Sequence, residues 1–152
     1  MKELKEILKT KVDLPLSQAS VINLFYTSNC IKDDLLFRLK PFDLSLEQFN
    51  VLRILRGQKG KAINLQDIQE RMVSKMSNTT RLVDKLIKKK LVNRTICKSN
   101  RRKVEILITD LGLATLAEVD PIIDASEKNI TKKLTLKELT QLNTLLLKLR
   151  NK

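Results

Sequence analysis

The side chains that could do chemistry in this chain are concentrated between residues 71 and 103, and they are cations. The segment holds twelve Lys or Arg residues and one acid, Asp84, and so carries +11 of the net charge of +13. Cations at this density neutralise the phosphates of a nucleic-acid backbone and release its condensed counterions. The other residues are close to neutral in sum. The basic charge therefore indicates a binding site for a polyanion and not a uniformly basic surface.

The first half of this segment has the pattern of an amphipathic helix between residues 74 and 89. Apolar residues recur at three- and four-residue spacing on one side, and polar or cationic residues recur on the other. Ser74 is the predicted N-cap. Short polar residues fill the first turns, where a helix that enters the major groove presents its base-reading side chains. The apolar face consists of Leu82, Val83, Leu86 and Ile87, and the outer face consists of Asn78, Arg81, Lys85 and Lys88.

After Lys90 the spacing of the apolar residues changes from helical to alternating. This change predicts two short strands, at residues 92–97 and 104–108. They flank a polar hairpin tip, residues 98–103, that holds four cations. A helix followed by a basic-tipped hairpin is the layout of a winged helix-turn-helix, in which the helix reads the major groove and the wing reaches the backbone or the minor groove.

The predicted DNA-contacting residues lie on the outer face of this helix, just before it, and at the hairpin tip. Residues near the helix start are expected to contact bases or nearby phosphates, whereas Lys85 and Lys88 are expected to touch the backbone only. Two adjacent Arg residues at the tip suit a narrow minor groove better than Lys would. The alternative is that the polar face of the helix and the hairpin tip are merely solvated. Because the two cationic features follow each other directly in the chain, DNA contact is the favoured interpretation. The predicted contact residues are Lys75, Ser77, Asn78, Thr80, Arg81, Lys85, Lys88, Arg101 and Arg102.

Helix start signals precede the basic segment. Ser45 with Gln48 has the capping-box pattern, ahead of an apolar run that ends near Gly57. Asn64 is the predicted start of a short helix. Its link to the helix predicted at Ser74 is only about two residues long, the tight connection of a helix-turn-helix.

Apolar helices are predicted at both ends of the chain. Residues 4–12 and 17–39 have apolar faces at helical spacing. After the hairpin, Thr109 caps a long helix in which Pro121 should produce a kink or a local break. A leucine stripe then follows over residues 136–149. These helices have more apolar surface than a small central domain can cover, which predicts a homodimer built from both termini.

The composition indicates a folded, mainly helical chain. Its 152 residues are 42% hydrophobic and 31% charged, with three Gly and three Pro, which suits one domain plus an oligomerisation element. No His is present, and Cys30 and Cys97 do not have the spacing of a metal site. This argues against an enzyme without excluding one. We expect a protein that is not an enzyme and has no metal and no cofactor.

The chain has no apolar run of about 18 residues and its N-terminus lacks an apolar signal core. We therefore expect a cytoplasmic protein with no membrane partner. The C-terminal leucine stripe has a second interpretation, a helix on a membrane surface. Cations interspersed in the stripe and the absence of an aromatic anchor favour the dimer.

Four stretches of the chain have the order of the elements of a known family. They are LSLEQFNVLRIL, a helix before the motif; NLQDIQERM, its first helix; SNTTRLVDKLIKKKLVNR, the recognition helix and its exit; and NRRKVEILITDLG, the wing and the following cap. With these stretches the chain resembles the MarR family (multiple-antibiotic-resistance regulators), dimeric winged-helix transcription factors. The similarity covers residues 44–150.

The resemblance implies a homodimeric regulator, most often a repressor, on a pseudo-palindromic site in duplex DNA. It also implies a small-molecule effector in the cleft between the helical dimer region and the winged domain. The chain departs from the family at Asn100, where the wing signature has Asp, and at Lys90, where a Gly usually ends the recognition helix. Some members place a redox-sensing thiol near the position of Cys30. Its distance from Ser45 favours a buried small hydrophobe instead.

The predicted fold is mainly α with a small β-hairpin wing, an α+β winged helix-turn-helix with N- and C-terminal dimerisation helices. The predicted units are residues 1–40 for dimerisation, 41–110 for DNA binding and 111–152 for dimerisation. Two other function classes stay open, a non-specific nucleic-acid-binding or architectural protein and an enzyme on a helical scaffold. The lack of His and of a Gly-rich phosphate loop weighs against the enzyme.

Overall fold

The structure is a computed structural model, and it describes residues 2–96 and 104–151. The described residues form α-helices, one short 3-10 helix at Lys40–Phe42 and a two-stranded antiparallel sheet. The predicted fold class, mainly helical with a two-stranded hairpin, is confirmed. In chain order the elements are α1 Lys2–Ile7, α2 Leu16–Leu39, α3 Leu46–Gly57, α4 Leu65–Arg71, α5 Thr79–Lys88, β1 Val92–Ile96, β2 Val104–Ile108, α6 Asp110–Thr131 and α7 Leu136–Arg150.

The predicted start signals of α3 and α4 are confirmed by their hydrogen bonds. The Ser45 hydroxyl accepts from the Gln48 backbone N–H at 3.1 Å, and the Gln48 side chain accepts from the Ser45 N–H at 3.0 Å. At α4 the Asn64 side chain accepts from the Asp67 N–H at 2.8 Å. Each cap satisfies donors that a helix start leaves without partners, so these helices begin where the local sequence places them.

The predicted start of the basic helix at Ser74 is wrong. α5 begins at Thr79, and its N-cap is Asn78, whose side-chain oxygen accepts from the Arg81 N–H at 3.0 Å. Asn caps a helix as well as Ser does. Residues 74–78 instead belong to the turn before α5, in which the apolar side chain of Met76 lies in solvent. The link between α4 and α5 is therefore residues 72–78, longer than predicted.

The hydrophobic core lies where α3, α4, α5, β2 and α6 meet. Each element contributes side chains that are fully buried, and burying one Leu or Ile contributes about 1.5–3 kcal/mol. The outer face of α5 is held in place by this packing. Representative core residues, one from each of these elements in that order, are Leu52, Ile68, Leu86, Ile106 and Leu116.

The two strands pair in an antiparallel register that sets Val92 opposite Ile108. Ile63, just before α4, extends the pairing. Its N–H donates to the Ile106 carbonyl at 3.1 Å, and the Ile106 N–H donates back at 2.8 Å. The hairpin is thus hydrogen-bonded to the segment that leads into the helix-turn-helix, and the predicted strands are confirmed over Val92–Ile96 and Val104–Ile108.

The helix exit at Lys90 uses a left-handed residue even though it is not Gly. Lys90 has φ of +62°. Its N–H donates to the Ile87 carbonyl at 2.9 Å, and the Leu91 N–H donates to the Leu86 carbonyl at 3.0 Å. These two bonds define a Schellman motif, which requires a left-handed residue at this position. The chain therefore makes this helix exit with a Lys, whose Cβ resists the left-handed conformation.

The terminal helices differ from their predictions in three details. α1 ends at Ile7, earlier than predicted, and Lys9 beyond it has φ of +50°. α6 is one helix through Pro121, so the predicted local break does not occur, and the alternative of a kink stays a prediction. Cys30 is exposed, so its prediction as a buried hydrophobe is wrong. It lies on a stretch of α2 that no other described element covers.

In the described part of the chain, no helix combines the length and the apolarity that crossing a membrane requires.

Candidate nucleic-acid interface

The outer face of α5 carries a row of exposed polar and cationic side chains. Its opposite face is anchored, because Val83 and Leu86 are fully buried. An anchored helix presents its outer side chains in one fixed orientation, which a groove-reading helix requires. This row, called the α5 stripe below, comprises Asn78, Arg81, Lys85 and Lys88, all exposed.

The cations of the α5 stripe differ from their neighbours in their ion pairs. Lys89 pairs with Asp43 at 2.7 Å, and Arg94 pairs with Asp84 at 2.9 Å. Within residues 2–96 and 104–151, the cations of the stripe form no ion pair. The cations of the stripe are therefore available to a phosphate backbone, whereas the charges of Lys89 and Arg94 are partly neutralised by their acids.

The ion pair at the end of α5 also affects the acid. The hydrogen bond from Lys89, together with its charge, lowers the pKa of the Asp43 carboxyl. Asp43 is left-handed, with φ of +51°, and connects the 3-10 helix to α3. Because its carboxyl is solvent-exposed, the pair stabilises this contact only weakly. It nevertheless joins the exit of α2 to the end of α5.

The pair between Asp84 and Arg94 connects α5 to the first strand of the hairpin. Asp84 is the only acid in the basic segment. It therefore orients the start of the wing and reduces the local positive charge by one unit. The sequence singled out Asp84 only as the one negative charge in the basic segment. It did not reveal the ion pair, because Arg94 lies ten residues away in another element.

The turn of residues 72–78, called the motif turn below, is tied to α3 and α4. The Gln69 side chain donates to the Lys75 carbonyl at 2.6 Å and accepts a hydrogen bond from the buried Thr79 hydroxyl. The Val73 N–H donates to the Asn50 side chain at 2.9 Å. Gln69 and Asn50 were missed by sequence reasoning, since nothing in their local pattern indicates a long-range contact.

The predicted contact residues in and around the motif turn differ in their exposure and in their hydrogen bonds within the chain. The Lys75 ammonium donates to the Glu70 carbonyl at 2.5 Å, which directs it toward the end of α4. Ser77 is half-buried, whereas Thr80 is exposed. The wing-tip residues Arg101 and Arg102, with Asn100 and Cys97, lie outside the described residues. The structure brings the other predicted residues together on α5 and the turn before it.

A cleft of about 450 Å³ lies between α2 and α3, beside the motif turn. Its wall combines apolar side chains with the cations Lys32 and Arg53 and the acid Glu47. The Arg53 guanidinium lies 5.5 Å from the centroid of the Phe49 ring, within the range of a cation–π contact. The family resemblance implies an effector between the predicted dimer region and the winged module, and this cleft lies between α2 of the first unit and α3 of the second. No cluster of His, Cys, Asp and Glu suited to a metal ion occurs in the described ranges.

Comparison with known proteins assigns this arrangement to one family. A model of the MarR family matches residues 44–104. The uncharacterized HTH-type transcriptional regulator YfiV of Bacillus subtilis (strain 168) is 35% identical over 68 residues, which make up 45% of this chain and 41% of that protein. The match thus spans about two fifths of the length of that curated relative.

Solved structures agree over nearly the whole chain. A MarR transcription factor from Planctomyces limnophilus is 30% identical, with a TM-score of 0.69, over 89% of this chain and 98% of that one. The organohalide-sensing RdhR transcriptional regulator in its 2,4-dichlorophenol-bound form is 23% identical, with a TM-score of 0.83, over 91% of this chain and 81% of that one. The second likeness shows a shared fold.

Proposed function

Because this chain belongs to the MarR family, we propose that it is a homodimeric transcriptional regulator that binds a specific pseudo-palindromic site in duplex DNA, most simply as a repressor. In this proposal α5 enters the major groove and the wing contacts the backbone or the minor groove. The predicted units then have separate roles in DNA binding and dimerisation. Residues 41–110 bind DNA, and residues 1–40 and 111–152 form the dimer.

The α5 stripe is the observation that carries the proposal. Its cations have no ion pair within the described residues, and its N-cap residue, Asn78, begins the helix at the end that a helix-turn-helix directs toward base edges. Arg81 lies one turn into the helix and is the strongest candidate for a base contact, since its planar guanidinium binds guanine with two hydrogen bonds. Lys85 and Lys88 lie farther along and suit phosphates.

The exposed apolar surface of the terminal helices supports a dimer. No described residue of α7 is buried, and α2 buries only Ala19 and Leu39. Large apolar side chains on these helices lie in solvent in the single chain, among them Phe25 at 69% exposure and Leu136 at 82%. Exposed apolar surface on this scale favours association with a second copy through both ends of the chain.

The proposed effector is a small phenol-like aromatic molecule in the cleft between α2 and α3. The related regulator of organohalide sensing binds 2,4-dichlorophenol. Here Phe49 lines the cleft, and the two cations Lys32 and Arg53 outnumber the single acid Glu47, which favours a phenolate oxygen. The cleft also borders Val73 in the motif turn, so a ligand there would act on the segment that precedes α5.

Binding-site selection tests the proposal. Duplexes bound by the full chain are selected from a random pool, and the affinities for the selected and a random duplex are then measured across a salt series. A specific regulator yields an enriched two-fold site whose affinity exceeds that for random duplex by at least about 10³-fold. If every duplex binds alike, with the same salt dependence, the chain is a non-specific nucleic-acid-binding protein and the proposal is wrong.

A further inference from the structure

The motif turn exposes an apolar side chain at the entrance to α5. Met76 has a relative exposure of 95%, the highest of the described large apolar side chains. It stands two residues before Asn78, the N-cap of α5. Exposing a long apolar side chain costs free energy unless a partner covers it. Its position between the cations Lys75 and Arg81 favours a partner that is negatively charged overall and presents an apolar group locally.

The motif turn is held in place, so the position of Met76 relative to α5 is fixed. Gln69 binds the Lys75 carbonyl on one side of Met76 and the Thr79 hydroxyl on the other. The Ser77 N–H also donates to the Ser74 carbonyl at 3.2 Å, which closes the turn around Met76. A side chain on a tethered turn loses less conformational entropy on binding than one on a free loop.

The other exposed apolar side chain of this turn has a different environment. Val73 is 86% exposed, but it borders the cleft between α2 and α3, and its N–H is bound to Asn50. Met76 is not among the residues that line that cleft. Of the two, Met76 is thus the one next to the N-terminus of α5.

We propose that Met76 contacts DNA and recognises thymine through its C5-methyl group in the major groove. This inference rests on the proposed function, in which α5 docks in that groove. Thymine is the base that presents a methyl group there, and apolar side chains contact it. The unbranched thioether of Met adapts to the shape of a small apolar partner. Met76 therefore adds an apolar reader to the polar residues Ser77, Asn78 and Arg81.

The size of the effect follows from the methyl group alone. Covering one methyl group changes an affinity by about fourfold. The experiment uses the full chain and the duplex selected as above. Each thymine in turn is replaced by uracil, which removes only the methyl group, and affinities are measured by fluorescence anisotropy at constant salt.

We expect the wild-type chain to lose about fourfold in affinity at one thymine of each half-site. Met76→Ala should bind the thymine and uracil duplexes equally at that position. Met76→Leu, which keeps an apolar side chain, should retain the loss. Met76→Leu is thus the matched control for the loss of the apolar side chain. Since the Met76 side chain is exposed, thermal unfolding of both variants should match the wild type.

Three results would overturn the inference alone, because the selected site itself would establish specific binding. They are a wild-type chain indifferent to uracil at every position, a selected half-site without thymine, and a Met76→Ala variant that still discriminates. Failure to select any enriched sequence is a different result. It overturns the proposed function, and the inference about Met76 with it.

Discussion

At the scale of single residues, Lys90 shows a conflict between sequence and backbone. The Schellman motif at the end of α5 needs a left-handed residue, and Lys90 supplies it with φ of +62°. A side chain with a Cβ resists this conformation by roughly 1–2 kcal/mol. The motif persists because Leu91, the next residue, is buried and directs the chain into β1.

Lys90→Gly should therefore raise the free energy of unfolding by roughly 0.5–1 kcal/mol, since the gain at the left-handed position exceeds the entropy that Gly loses. Urea unfolding at one fixed protein concentration measures it. Lys85→Gly is the matched control. It makes the same replacement at an exposed position inside the helix and should destabilise the chain by about 1 kcal/mol. Equal destabilisation by both would show that Lys90 is not strained.

The α5 stripe gives a second prediction at this scale. Arg81→Ala should cost about 1–3 kcal/mol on the selected site and flatten base preference, because a base contact is lost. Lys88→Ala should weaken all duplexes alike and reduce the salt slope by about one, because a phosphate contact is lost. Anisotropy titrations over a salt series separate the two. Equal losses on selected and random duplexes for both variants would show that α5 does not read sequence.

At the scale of elements, α6 approaches the end of α5 so closely that only Gly fits its first turn. A Cβ on Gly112 would lie 2.3 Å from the Leu91 carbonyl oxygen and 2.7 Å from Ile108 Cγ1. Thr109 caps α6 by accepting from the Gly112 N–H at 3.0 Å and donates to the Lys90 carbonyl at 2.8 Å. The contact joins the exit of α5, the hairpin and α6.

Gly112→Ala should destabilise the chain by about 1–3 kcal/mol, because the first of these neighbours is backbone and can move only with its element. Gly57→Ala is the control, since a Cβ there meets no atom within 4 Å and φ is not left-handed. That variant should be neutral or slightly stabilising. Thermal unfolding midpoints compare them. An unchanged midpoint for Gly112→Ala would contradict the close packing.

At the scale of the whole molecule, the distribution of apolar surface separates a packed centre from open ends. The core joins α3, α4, α5, the sheet and α6, whereas α7 has no buried residue among those described. A helix with exposed leucines at helical spacing is marginal alone and gains stability by packing. The open ends are therefore the surface on which the proposed dimer depends.

Removing residues 134–152 should give a monomeric or aggregating chain without specific DNA binding. A stable truncated dimer in analytical ultracentrifugation would contradict the proposal. Point variants in the full chain avoid the ambiguity of aggregation. Leu145→Glu, at a leucine that is 55% exposed, should weaken the dimer at least tenfold, because it places a charge in an apolar interface. Thr144→Glu, at the neighbouring exposed position, should have a much smaller effect.

The sequence by itself determined the features that depend on neighbouring residues. The caps at Ser45, Asn64 and Thr109 form within three residues, so their pattern located the helix starts. The change of apolar spacing after Lys90 located the hairpin, because the two periods belong to different backbone geometries. The charge excess and the family resemblance indicated nucleic acid.

The tertiary structure decided what depends on residues far apart in the chain. Several residues between 74 and 80 can cap a helix, and Asn78 is the one used, in a structure that also ties Thr79 to Gln69 of α4. Exposure of Cys30 depends on whether another element covers α2, which no local pattern records. The exposure of Met76 likewise follows from how α4 and α5 pack around the motif turn. Local hydrogen bonds and periodicity depend on residues that are close together in the sequence. Burial and long-range contacts depend on how the elements pack against one another, and so they arise only in the folded chain.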